Sequence, residues 1–128
     1  MKTLEIWHDM VRSQDLDRLD EILAPECVFL SPIVHTPQEG RELTSLYLHG
    51  ALGVFNESFR YIKEVVTPQH AVLEFTCELD GIVINGVDIM TFNEEGRIVE
   101  FKVMLRPLKA VNLMHARMKA MLEEIAAQ

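Results

Sequence analysis

A chain of 128 residues, 48% apolar and 25% charged, is the size and composition of one soluble globular domain that buries about two-thirds of its unfolded surface. Its formal net charge of −8 and its lack of any basic stripe argue against a nucleic-acid surface, which needs clustered Lys and Arg. No stretch approaches the ~20 apolar residues of a membrane span, and the amino terminus has no signal-like apolar run, so a cytoplasmic protein is expected.

Leu4, Trp7, Met10 and Val11 recur at helical spacing and predict an amphipathic helix over residues 3–13. A shorter helix is predicted over 15–23, with Asp15 as N-cap and Leu16, Leu19, Ile22 and Leu23 on one side, closed by Pro25. Cys27-Val28-Phe29-Leu30-Ser31-Pro32 reads as a buried strand stopped by its proline. Thr36-Pro37-Gln38-Glu39 resembles a capping box, and a third helix runs from there, or from Gly40, to about Phe55. Strands are then predicted at 59–66, 71–79, 82–92 and 97–106. Asp80-Gly81 is a two-residue hairpin signal and Asn93-Glu94-Glu95-Gly96 a four-residue turn, while Thr67-Pro68-Gln69-His70 leaves the first hairpin's register open. A last helix from Pro107 to Ala126 carries Leu108, Val111, Met114, His115, Met118, Leu122 and Ile125 on one stripe. Helices followed by an antiparallel meander give an α+β domain, helices on one face of a curved sheet, occupying all of residues 1–128. Cys27 and Cys77 sit inside strand-like runs without CxxC spacing and read as small buried thiols in a reduced compartment.

The strand 82–92 is apolar on both faces, so its neighbours must decide where Asp88 points. An Asp80-Gly81 turn sets Leu79 opposite Ile82 and therefore Leu73 opposite Asp88; residues opposite each other share a face. The 93–96 turn sets Phe92 opposite Arg97 and Asp88 opposite Phe101. Asp88 then lies with Leu73, Phe75, Cys77, Phe101, Val103 and Leu105, away from Glu74, Thr76, Glu78, Asn85, Glu100 and Lys102. An acid on the core face with no cation opposite it is satisfied by a helix side chain or water, or is held protonated as a proton donor or ligand anchor.

The stretch Gly86-Val87-Asp88-Ile89-Met90-Thr91-Phe92-Asn93-Glu94-Glu95-Gly96-Arg97-Ile98 resembles a strand–turn–strand of the SnoaL-like and ketosteroid-isomerase-like branches of the nuclear transport factor 2-like superfamily. Asp15-Leu16-Asp17 through Cys27-Val28-Phe29-Leu30-Ser31-Pro32 resembles that superfamily's paired helices and first strand. The resemblance implies a cone: a curved antiparallel sheet wrapped on N-terminal helices around an apolar pocket, with a C-terminal helix. It makes Asp88 the counterpart of the acid that donates a hydrogen bond in the isomerase oxyanion hole. The isomerase's general-base Asp falls on Ser31 and its oxyanion tyrosine on Trp7, and both departures speak against ketosteroid isomerase activity. In limonene epoxide hydrolase the arginine before the acid falls on Gly86 and the second aspartate on Val103. SnoaL-like polyketide cyclases, which depend on one pocket acid with few helpers, remain compatible.

His35, after the first strand, is a candidate catalytic base beside Asp88, or an idle loop residue. Trp7, Ser31 and Tyr47, with Phe75, Phe101 and Val103 of the Asp88 face, are candidate ligand contacts. No His, Cys or acid spacing marks a metal, and no nucleotide or flavin motif is present, so no cofactor is expected. The expected partners are a small hydrophobic ligand and a second copy docked through the outer sheet face, which carries Val83, Val87, Ile89 and Met104. Two functions fit: a cofactor-independent cyclase, isomerase or hydrolase using Asp88 as acid–base residue, or a non-catalytic module for small-molecule binding or dimeric assembly.

Overall fold

The computed structural model describes residues 1–127. Two helices, α1 (Lys2–Ser13) and α2 (Leu19–Ile22), lead into β1 (Leu23–Leu30) and the short β2 (Gln38–Glu39). After α3 (Arg41–Val54) come β3 (Arg60–Val66), β4 (His70–Leu79), β5 (Ile82–Phe92) and β6 (Ile98–Arg106), and α4 (Leu108–Ala126) completes the fold. The strands make one curved sheet in the order β2-β1-β6-β5-β4-β3. The fold is the expected α+β cone with one correction: the sheet is mixed. The strand β1 runs parallel to β6, and every other pairing is antiparallel.

Three local expectations change at the front of the chain. The second helix is a single turn, because Asp15 Oδ1 accepts the N–H of Asp17 at 3.0 Å and makes a local turn instead of a cap. Pro25 does not end a helix; it lies inside β1, in the stretch between Leu23 and Val28 where pairing with β6 is irregular and its missing N–H costs nothing. The capping box at Thr36 does not form, since Gln38 and Glu39 pair with Phe29 and Val28. The helix α3 starts after Gly40, whose φ of 100° favours glycine.

The β-meander follows the sequence closely. Asp80 and Gly81 both adopt positive φ, the geometry of a tight hairpin turn. The pairing of β4 with β5 sets Leu73 opposite Asp88, as expected. On the other side Asp88 faces Val103 instead of Phe101. The loop after β5 holds five residues, with Phe92 opposite Ile98, and Val99 bulges between the pairs Thr91–Glu100 and Phe92–Ile98. Two one-residue shifts add to two, so residues 100–105 keep their predicted faces, while Ile98 before the bulge turns inward opposite Phe92.

The inner face packs two clusters of buried side chains. One joins α1, α2 and β1 to Leu73, Met90, Phe92, Ile98 and Phe101. The other joins Val54, Phe75, Cys77, Leu79 and Ile84 to Ala110 and Met114 of α4. On α4 the stripe is displaced from its predicted start, for Leu108 is exposed and Ala110 is buried instead. Each fully buried large side chain, Phe75 and Phe101 among them, contributes about 1.5–3 kcal/mol. Tyr61 and Val103 pack against both clusters.

Candidate functional site

Between the clusters lies a cavity of about 820 Å³, within the range of small-molecule sites. Trp7 and Val11 of α1, Phe29 of β1, Tyr47, Leu48 and Leu52 of α3 and Phe59 near β3 make its wall apolar. Phe75, Phe101 and Val103 continue it along the sheet, and Met114, Met118 and Leu122 of α4 complete it. Asp88 lines this cavity with 6% of its surface exposed.

One hydrogen-bond chain holds the acid. The hydroxyl of Tyr61 donates to Asp88 Oδ2 at 2.6 Å, and Trp7 Nε1 donates to the Tyr61 oxygen at 3.0 Å. The direction is fixed chemically. An indole N–H only donates, so the Tyr61 oxygen must accept from it and direct its own hydrogen to the carboxyl. The Tyr61 hydroxyl occupies Oδ2, and no hydrogen bond from a described residue reaches Oδ1. Burial pushes the Asp88 pKa up to about 7, against the Tyr61 hydrogen bond, which lowers it. Burial, and then the neighbouring Asp88 charge, push the Tyr61 phenol well above its ordinary range. Both shifts favour the protonated forms, so the Tyr61 hydroxyl remains the donor to the carboxyl.

Of the sequence-derived candidates, Trp7, Ser31, Tyr47, Phe75, Asp88, Phe101 and Val103 all line the cavity. Trp7 spends its donor on Tyr61 and packs its ring 5.2 Å from Phe101. Tyr47 stacks on Phe29 at 5.4 Å. Ser31 stands at the rim, its Oγ accepting the N–H of Ile33 at 3.0 Å. His35 is exposed and outside the wall; the turn built on Ser31 brings residues 31–34 to the rim and carries the chain past it. Tyr61, the one direct side-chain partner of Asp88 among the described residues, escaped the sequence reading. Its signal was the alternation Phe59-Tyr61 on the side of Phe75, masked because Lys63 follows at the same spacing. A bulge at Ile62 resolves the conflict, placing Tyr61 opposite Phe75 and Lys63 opposite the outward Glu74.

Among the described residues no three His, Cys, Asp or Glu side chains cluster as a metal site, both cysteines are buried and free, and no helix is long and apolar enough to cross a membrane.

A model of the SnoaL-like domain matches residues 4–101. A steroid delta-isomerase from Pseudomonas aeruginosa is 32% identical with a TM-score of 0.94, the match covering 99% of this chain and 93% of that one. An uncharacterised protein with a cystatin-like fold from Silicibacter pomeroyi DSS-3 is 30% identical with a TM-score of 0.85, over 92% and 83% of the two chains. The epoxide hydrolase/cyclase-like enzyme SalBIII, of pyran ring formation in salinomycin, is 16% identical with a TM-score of 0.64 over 84% and 92%, which shows a shared fold alone. A search of the curated proteins finds no match. Likeness that runs through helices and sheet alike, at these identities, means that the chain belongs to the SnoaL-like domain family of the nuclear transport factor 2-like superfamily.

Proposed function

We propose that this protein is a cofactor-independent enzyme of the cyclase, isomerase or hydrolase kind, acting on a small hydrophobic molecule with Asp88 as its acid–base residue. The observation that carries this reading is a single buried carboxyl, pKa about 7, in the wall of an apolar cavity, with no described residue hydrogen-bonded to its Oδ1. Such a group is half protonated at neutral pH. It can give a proton to a substrate oxygen and take one back from carbon or water, the condition under which general acid–base catalysis is most effective. Tyr61 and Trp7 hold the carboxyl in one orientation. No second acid stands where the isomerase pattern puts its base, for Ser31 occupies that position and accepts a backbone N–H. Reactions in which one group delivers and recovers the same proton, such as ring closure in the SnoaL-like cyclases, therefore fit best. The missing base also supports the second reading, a pocket that binds a lipophilic molecule without transforming it.

The two readings separate on a panel of enolisable hydrophobic ketones, esters and epoxides incubated in D2O with wild type and Asp88→Asn, followed by mass spectrometry. The enzyme reading expects exchange or turnover of at least one member, reduced about 10²–10⁴-fold in the variant. Equal rates in both proteins across the panel would contradict it.

A further inference from the structure

The cavity's charge runs against the molecule's. The chain carries 20 acidic residues against 12 Lys and Arg, yet the cavity is lined by Arg12, Arg60 and Lys119 with His8 and His115, while its acids besides Asp88 reduce to Glu57. Arg12 is held by Asp9 and His8 by Glu64. Arg60 and Lys119 form no ion pair with any described residue. Lys119 stands one helical turn beyond His115, both beside the Met114, Met118 and Leu122 stripe that α4 presents to the cavity. A lysine so placed lays its methylenes along apolar surface and keeps its ammonium in water. The cavity thus joins an apolar interior and one buried acid to unpaired cations at its exposed margin.

We infer that the ligand is an amphipathic carboxylate, its apolar body inside, its carboxylate at the margin near Lys119 and Arg60, and a second polar atom reaching Asp88. This rests on the reading of the cavity as the substrate site. A neutral ligand would leave the unpaired cations unused, and an ammonium ligand would meet them as like charges.

Trp7 is the single tryptophan and lines the cavity, so its fluorescence reports occupancy. Decanoate, decan-1-ol and decylamine are titrated at low ionic strength and about pH 6, where the acid is ionised and the amine protonated. Decanoate is expected to bind roughly fivefold tighter than the alcohol and tighter still than the amine, with an advantage that shrinks as salt is added. The double variant Arg60→Gln/Lys119→Gln should bind decanoate no better than decan-1-ol, with alcohol binding as the control for an intact cavity. Equal affinities for all three probes in wild type would overturn the carboxylate inference and leave the cavity reading standing. So would an acid preference that survives both substitutions. Failure of all three to bind would overturn the cavity reading, and this inference with it.

Discussion

At the scale of the residue, the chain Trp7 to Tyr61 to Asp88 sets both the orientation and the acidity of the carboxyl. The folded pKa of about 7 lies above the ordinary value of 3.8. Ionisation therefore opposes folding: stability from this group is full below about pH 4 and falls as pH climbs to 7, by up to roughly 4 kcal/mol. Asp88→Asn keeps an oxygen for the Tyr61 hydroxyl and removes the titration. Denaturant midpoints should show the variant as stable as wild type at about pH 4, with an advantage that grows through pH 5 and is largest at pH 8. A variant clearly less stable at pH 8 would mean an ionised, well-paired Asp88. Tyr61→Phe leaves the indole N–H of Trp7 without an acceptor and should cost about 1–3 kcal/mol in the same measurement.

At the scale of the element, two glycines make opposite predictions. A Cβ on Gly86, in the middle of β5, would lie 2.6 Å from Phe75 Cζ and 2.7 Å from the backbone oxygen of Met104. Gly86→Ala should therefore destabilise by about 1–3 kcal/mol or more, because backbone cannot move aside. On Gly53 in α3 the nearest atom is Met121 Cε at 2.9 Å, the end of a flexible side chain. There the roughly 1 kcal/mol that alanine gains in a helix interior offsets the contact, and Gly53→Ala should leave the thermal midpoint unchanged or raised. Elements also show what the sequence could reveal. Asp88 was placed on the core face because the Asp80-Gly81 turn fixes β4 against β5, and the opposite register error on β6 came to two residues, which preserves the face. Tyr61 was lost because the bulge in β3 breaks the alternation that would have assigned it. Thr36 and Asp15 were misread as helix caps because each lies in a local turn or beside a strand pairing that overrides the cap pattern.

At the scale of the whole molecule, the outer sheet face leaves several apolar side chains exposed, while Val72, Val87 and Ile89 are half-buried. Val83, Met104 and Val65 are each more than half exposed, and Val72 and Ile89 continue the row across from Val65. We propose that a second copy covers this face. Sedimentation at micromolar concentration should give a dimer, and Met104→Glu a monomer with unchanged circular dichroism; a wild-type monomer would contradict the proposal. The other face of the same sheet, covered by α1, α3 and α4, holds Asp88 in the cavity wall, where burial raises its pKa. The most direct test is therefore a carbon-13 NMR titration of the Asp88 carboxyl in the free protein. The expected midpoint is about 7, moving higher in Tyr61→Phe because the lowering hydrogen bond is gone. A midpoint in the ordinary carboxylate range of about 4 would contradict it, leaving an ionised acid with no proton to give at neutral pH.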